Sequence, residues 1–399
     1  MAALGGRIAG NLWSGVGVIV IWLAIPAIAA AAYYLLAIVA AVRWGRPPAG
    51  PDLAGRRPAP LSILKPVHGR DPRFYEAIFT HAAQDYPEFE ILFGVSDPRD
   101  PALEDIGRLE REFPERRIEV VVAETDAPNA KVGVLAELAK RARYPLLLVN
   151  DSDIVAPPGY LRAVTAPLED PEVGLVTCLY RGAADSWASR SEALGISTEF
   201  APSLLVARLL GQAEFALGST MVFRAEALRR MGGFEAIAHY LADDYQLGRH
   251  ISGLGYRIEF APVVVETGLG GESWAETWRH QLRWARTIRV SRPGGYFGCV
   301  VTHATLWALV ALAARQWWAA ALALGLRMAA GMVVGAGVLK DRRVARDFWL
   351  MPLRDLFGFT VWLAGLFGHT VEWRDRKLRL HPDGRIDAEE RKPEPVYHP

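Results

Sequence analysis

The run Leu146-Leu147-Leu148-Val149 breaks off into Asn150-Asp151-Ser152-Asp153, an apolar stretch followed at once by two carboxylates one residue apart. A short apolar run bounded by polar residues reads as a strand buried on both faces, the habit of a parallel sheet covered by helices. Open sheets of that kind place ligands beyond the carboxyl ends of their strands, where these aspartates fall. Asp151 and Asp153, at i and i+2 in the turn leaving the strand, can both reach one hard cation that keeps open positions for phosphate oxygens. A pair of helix caps or loop aspartates accounts for the same residues without any ligand.

The surrounding sequence supports the sheet. Leu61–Leu64 reads as a strand, Phe74–Asp85 as a helix and Glu90–Val95 as a second strand. Ala102–Phe113 reads as a helix, Ile118–Val122 as a strand and Val132–Arg143 as a helix. Strand–helix alternation of this sort predicts an α/β fold with a doubly wound, mostly parallel sheet. No GxGxxG follows a strand and no GxxxxGK[ST] occurs, so dehydrogenase and P-loop chemistry lose their main support.

Apolar residues make up 51% of the chain and are unevenly spread, which points to membrane segments around a water-facing core. Leu12–Val42 contains no charged residue and exceeds the roughly 20 apolar residues that cross a bilayer. Arg43, Arg46, Arg56 and Arg57 follow it, against Arg7 before it, which places the next domain in the cytosol at the inner face of the cell membrane. Val300–Ala314 and Trp317–Leu339 read as two more spans, with Lys340, Arg342 and Arg343 marking a return to the cytosolic side. Trp349–Val371 is interrupted by Arg354 and Asp355. A full crossing there would put Arg374, Arg376, Lys377 and Arg379 outside, so a re-entrant or interface-lying segment is expected. The expected organisation is a membrane helix over 1–43, a Pro/Gly/Arg-rich linker over 44–60, a cytosolic domain over 61–295, a membrane region over 296–371 and a polar tail over 372–399. A net charge of +1 gives no reason to expect a nucleic-acid partner. Cys178 and Cys299 lie far apart, without zinc or disulfide spacing, and Cys178 reads as core packing.

Further candidates stand where strands end or helices begin. Asp97 follows Phe93-Gly94-Val95-Ser96 and precedes Pro98, which suits a hydrogen bond to a nucleotide base or a plain Asx-turn. Asn129 and Lys131 precede a helix, and Lys131 can balance phosphate charge or simply face solvent. Asp243 and Asp244 open a helix running toward Gly255, where they serve as caps or, for a buried one, as general base toward a hydroxyl. Trp278-Arg279-His280-Gln281-Leu282-Arg283-Trp284, with Arg286 and Arg289 beyond, is a basic aromatic stretch. It suits a membrane surface, or a site where Arg283 steadies a leaving diphosphate and Trp284 walls an acceptor.

Taken together these residues resemble the ceramide glucosyltransferase family, glycosyltransferase family 21 among the family-2-like nucleotide-sugar transferases. The matching residues are Asp97, Asp151-Ser152-Asp153, Asp244 within Ala242-Asp243-Asp244-Tyr245, and Arg283-Trp284. Ser62-Ile63-Leu64-Lys65-Pro66, Gly174-Leu175-Val176 and Gly232-Gly233-Phe234 look similar as well. His280 stands where the family pattern has Gln or Arg. The full D-S-D, Cys178-Leu179-Tyr180-Arg181-Gly182 and the run Arg283–Arg289 look like a bacterial branch that includes enzymes acting on hopanoid lipids such as bacteriohopanetetrol.

The resemblance implies a GT-A-like, nucleotide-sugar-binding α/β domain flanked by N- and C-terminal transmembrane helices. It also implies inverting transfer of glucose or N-acetylglucosamine from a UDP-sugar to a lipid hydroxyl, with a hopanoid as the first acceptor and ceramide as the alternative. By the same resemblance Asp97 would hold the uracil, and Asp151 and Asp153 would bind ribose and a Mg²⁺ or Mn²⁺. Asp244 would take the acceptor proton, and Arg283 with His280 would steady the diphosphate. The rivals are a processive polysaccharide synthase, for which three or four spans are few, and a catalytically silent membrane scaffold, which would be expected to lack one of the carboxylates.

Overall fold

In the parallel strands of the core, successive side chains feed opposite faces of one sheet, and both faces are dry. Leu146 and Leu148 of Leu146–Val149 join one apolar cluster with Ile63, Ile91 and Phe93, while Leu147 and Val149 join another with Leu64, Leu92 and Phe223. That double burial is why the strand reads as a continuous apolar run rather than as an alternating one.

The computed structural model describes residues 22–44, 57–373 and 376–388. Arg7, the first part of the expected N-terminal span (12–21), Arg46, Arg56, most of the 44–60 linker and Arg374 lie outside them. Two compact units divide the described chain. One takes residues 57–189, 213–293, 364–373 and 376–388, and the other takes 22–44, 190–212 and 294–363.

The larger unit is α/β. Its strands are β1 (Leu61–Pro66), β2 (Phe89–Val95), β3 (Arg117–Val122), β4 (Leu146–Val149), β5 (Val173–Ala183), β6 (Met221–Arg224) and β7 (Arg257–Gly268), in the order β3-β2-β1-β4-β6-β5-β7. Pairings β2–β3, β1–β2, β1–β4 and β5–β7 are parallel, and β6 runs antiparallel to β4 and β5. This is a GT-A-like sheet, mostly parallel as expected. Helices Phe74–Ala82, Ala102–Glu112 and Ala130–Arg141 match the expected helices to within a few residues at their ends. Helix Ala130–Arg141 lies close over β2 because Gly94 has no side chain: a Cβ there would fall 2.3 Å from Val134 Cγ1. A second, antiparallel sheet of β8 (Thr370–Trp373), β9 (Arg376–Leu380) and β10 (Ile386–Ala388) belongs to the same unit. Strands therefore occupy much of the stretch read as the end of a membrane region and a polar tail. Buried residues at every second position, Leu378 and Leu380, are the strand signal within that basic sequence.

The smaller unit is helical. Ile25–Trp44 and Trp317–Val338 are long and apolar enough to cross a bilayer. The expected span at 300–314 falls on a pair of helices, Pro293–Thr302 and Ala304–Ala313, that together are long and apolar enough to cross a bilayer and are bent by 50° at the break between them. Trp349–Val371 resolves into a short turn, helix Met351–Gly365 and the start of β8. The charges that interrupt it are buried in pairs: Asp355 accepts from Arg327 at 2.9 and 2.7 Å on one oxygen and at 3.2 Å on the other, and Arg354 lies 3.4 Å from Glu199. Thr305 Oγ1 donates to the second oxygen of Asp355 at 2.7 Å.

Candidate active site

The D-S-D turn leaves β4 under several restraints. Fully buried Lys65, at the end of β1, donates from Nζ to the Asp151 carbonyl at 3.1 Å. Asn150 is buried and meets His81 Nε2 at 2.7 Å, while His81 Nδ1 donates to the Ala77 carbonyl at 2.8 Å. That arrangement holds the ring neutral, and burial pushes its pKa far down. Beyond the turn, Val155 exchanges backbone hydrogen bonds with Glu266 of β7 at 2.8 and 3.1 Å. Asp153 is drawn the same way, accepting from Gly268 N at 2.9 Å and from the Thr267 hydroxyl.

Helix Ala130–Arg141 carries Lys131 into this turn. Asn129 caps the helix by accepting from Val132 N at 3.2 Å and donates from Nδ2 to the Tyr240 carbonyl at 2.8 Å. The helix start and the loop before Asp243 are thereby tied together. Lys131 Nζ sits between two carboxylates, 2.8 Å from Asp151 Oδ1 and 3.0 Å from Asp243 Oδ2. Burial opposes the charge on Lys131, yet Asp151 and Asp243 hold its pKa above the ordinary lysine range. Lys131 therefore does not simply face solvent. It is the counter-ion of an acidic cluster.

Asp244 completes that cluster. It stands in the first turn of helix Asp243–Gly253 and accepts from Gly218 N at 3.0 Å. Gly218 sits where three functional groups converge: a Cβ there would lie 3.2 Å from Asp151 Oδ2, 3.6 Å from Asp244 Oδ2 and 3.9 Å from Lys131 Nζ. Burial first and the Asp243 charge next push the Asp244 carboxyl up to about 6, against the pull of Lys131. A half-buried carboxylate in that range is suited to general-base work.

The D-S-D carboxylates are candidate donors for a hard divalent cation. Asp153 is raised to about 6, by burial first and then by the Asp151 charge, with Asp71 adding to it. The cluster is thus short of positive charge, its donors are all oxygen, and Lys131 engages Asp151 through one oxygen only. The set fits Mg²⁺ or Mn²⁺.

Asp97 lies at the carboxyl end of β2, half-exposed, and accepts from Arg99 N at 2.8 Å, the Asx-turn arrangement. The neighbouring Ser96, rather than Asp97, lines the cleft beside Lys131 and Asp151. His280, Arg283 and Trp284 lie on helix Trp274–Ser291, which opens with a capping box between Ser273 and Glu276. The His280 and Trp284 rings meet edge to face at 4.8 Å. The two basic residues beyond them do structural work. Arg286 donates to the carbonyls of Phe367 and Thr370 at 3.0 and 2.5 Å, and Arg289 donates to those of Leu366 and, at 2.6 Å, Gly368.

Lys65, Asp71, Gly218 and Thr267 were not singled out as site residues in the sequence. Only Lys65 carried a signal, as part of Ser62-Ile63-Leu64-Lys65-Pro66. The others approach the turn from distant segments.

Residues 20–386 match the model of glycosyl transferase family 21. The chain is 28% identical over 198 residues to ceramide glucosyltransferase 1 of Caenorhabditis elegans, a stretch covering 49% of this chain and 42% of that protein. It is 30% identical over 115 residues to ceramide glucosyltransferase of Candida albicans, covering 26% and 21% respectively. The chain thus spans less than half the length of these relatives. Its fold is similar to that of a mannosyltransferase from Pyrobaculum calidifontis solved in complex with GDP-Man and Mn²⁺, with a TM-score of 0.55 and 20% identity over 86% of this chain and 97% of that one. A continuous match over most of its length decides the family: the chain belongs to glycosyl transferase family 21.

Proposed function

We propose that this protein is a membrane-bound inverting glycosyltransferase that moves a hexosyl group from a UDP-sugar to the hydroxyl of a membrane lipid. The observation carrying the proposal is the convergence of Asp244, Asp151 and Lys131 around Gly218 at the carboxyl end of the sheet. Asp244 takes the proton of the acceptor hydroxyl as its oxygen attacks the anomeric carbon, from the face opposite the departing UDP. One base and no covalent intermediate give inversion, hence a β-glycoside from an α-linked donor. Lys131 keeps Asp151 oriented and offsets the accumulated negative charge. A Mg²⁺ or Mn²⁺ bound by Asp151 and Asp153 would neutralise charge developing on the leaving diphosphate. Asp97 is assigned to the uracil side, Arg283 and His280 to the diphosphate, and Trp284 to the acceptor.

Helices Ile25–Trp44 and Trp317–Val338 support a multi-pass membrane protein. Arg43 and Arg57, following the first span, support a catalytic domain on the cytosolic side of the cell membrane. An acceptor whose tail stays in the bilayer suits this arrangement. The D-S-D turn favours a hopanoid of the bacteriohopanetetrol type, whereas the relatives' names favour ceramide as the second reading. A silent scaffold would be expected to lack one of the carboxylates, and Asp97, Asp151, Asp153 and Asp244 are all present.

The test is a product assay by mass spectrometry. Membranes with and without the protein receive UDP-glucose or UDP-N-acetylglucosamine and a pool of hopanoid, ceramide and diacylglycerol. A glycolipid mass that depends on the protein identifies donor and acceptor together. Absence of product with UDP binding intact removes these acceptors. Absence of both removes the transferase.

A further inference from the structure

The sheet β8–β10 is held against the catalytic loops from several directions. Val371, Leu378, Leu380 and Ile386 pack with Leu241, which lies three residues before Asp244. Ile386 N donates to the His239 carbonyl at 2.8 Å, and Arg286 and Arg289 grip the backbone that enters β8. A basic tail with no role at the site needs none of these anchors.

Register then aims two side chains. Val371 pairs with Leu378 and Trp373 with Arg376 across the antiparallel ladder. Side chains two apart share a face, so the face that buries Leu378 and Leu380 continues outward to Arg376. Lys377 and Arg379 alternate with these residues and are exposed. Trp373, Arg376 and Leu378 line the same cleft as Lys131, Asp151 and Ser96. An aromatic ring and a guanidinium opposite each other at the rim of a cleft match the two ends of a nucleotide: a flat base to stack and a diphosphate to bind.

We propose that the C-terminal sheet forms a wall of the donor site, with Trp373 stacking on the base and Arg376 contacting the diphosphate of a nucleoside-diphosphate donor. This rests on the proposed UDP-sugar chemistry in the same cleft. Donor affinity is then determined partly by a segment remote in sequence from the D-S-D turn.

The experiment uses the full chain in detergent, with UDP and uridine binding measured by calorimetry and KM and kcat measured for the UDP-sugar. Arg376→Ala is expected to weaken UDP about tenfold while barely changing uridine, and to raise KM with kcat nearly constant. Trp373→Ala is expected to weaken both ligands, and Trp373→Phe to restore them. Lys377→Ala and Arg379→Ala, on the other face, are expected to leave all four quantities unchanged. UDP affinity and KM unchanged in both Ala variants, with the wild type binding UDP, would overturn the proposal while sparing the transferase. A fall in kcat without a rise in KM would overturn it too, as would equal losses in the Lys377 and Arg379 variants. A wild type that binds no UDP would overturn this inference together with the function it rests on.

Discussion

Replacing Lys131 by Met removes the cation from between Asp151 and Asp243 while keeping most of the side-chain volume. The cost differs between its two contacts. Lys131 and Asp243 are each 12% exposed at the side chain, so losing that contact leaves a poorly solvated carboxylate. Removing one partner of a fully buried pair costs about 3–5 kcal/mol. Asp151 is 46% exposed, and that contact is worth about 1 kcal/mol or less. Partial exposure of the first contact brings the expected total to about 3 kcal/mol, measured by denaturant or thermal unfolding in detergent. The pH dependence supplies the sharper test. Lys131 holds the Asp244 pKa down against burial and Asp243, so its loss must raise Asp244 further. As the proposed base, Asp244 works only when deprotonated. In the wild type kcat/KM should therefore fall as pH drops through about 6, and in Lys131→Met that acid limb should move to higher pH. The stability deficit should also shrink on acidification, because a protonated carboxylate no longer needs the ammonium. Unchanged stability together with an unmoved acid limb would refute the electrostatic role assigned to Lys131.

Gly218→Ala places a methyl group 3.2 Å from Asp151 Oδ2 and 3.6 Å from Asp244 Oδ2. Transfer should drop by at least about tenfold while unfolding shifts by only about 1–2 kcal/mol, as read by paired activity and melting assays. Asp153→Asn removes one charge from the proposed cation site, so the Mn²⁺ concentration giving half-maximal activity should rise, and chelation should silence the wild type reversibly. In the helical unit, Arg327→Leu leaves Asp355 buried without its partner and should cost about 3–5 kcal/mol in detergent unfolding. Adding Asp355→Leu should recover much of that loss, whereas a double variant no better than the single would show that the loss does not come from an unpaired Asp355 carboxylate.

The α/β core was readable because its signals are local. Leu146–Val149 is apolar on both faces, and the strand–helix alternation before it leaves few other folds open. Asp244 and the D-S-D turn stand out as candidates for a similar reason, since each lies where an element begins or ends. What the sequence did not disclose is how those positions meet. In sequence Lys131 fits either phosphate binding or a solvent-facing helix lysine, and its place between Asp151 and Asp243 appears only when these close on it from segments 20 and 112 residues away. Gly218 carries no motif, and its importance lies wholly in what surrounds it. The C-terminal strands were hidden behind charge. Arg376, Lys377 and Arg379 outweigh Leu378 and Leu380 in composition, while alternation reveals the buried face. Arg354 and Asp355 stand in sequence as interruptions of an apolar segment, and in the structure each is paired with a residue of a distant helix.

The most direct measurement is the transfer rate of Asp244→Asn from a UDP-sugar to the lipid acceptor, with UDP affinity determined on the same sample. Loss of the base with the fold and donor site intact should lower the rate by about 10²–10⁴ and leave UDP binding essentially at the wild-type value. A variant that folds, binds UDP and transfers sugar at the full rate would contradict the assignment of Asp244 and the mechanism built on it.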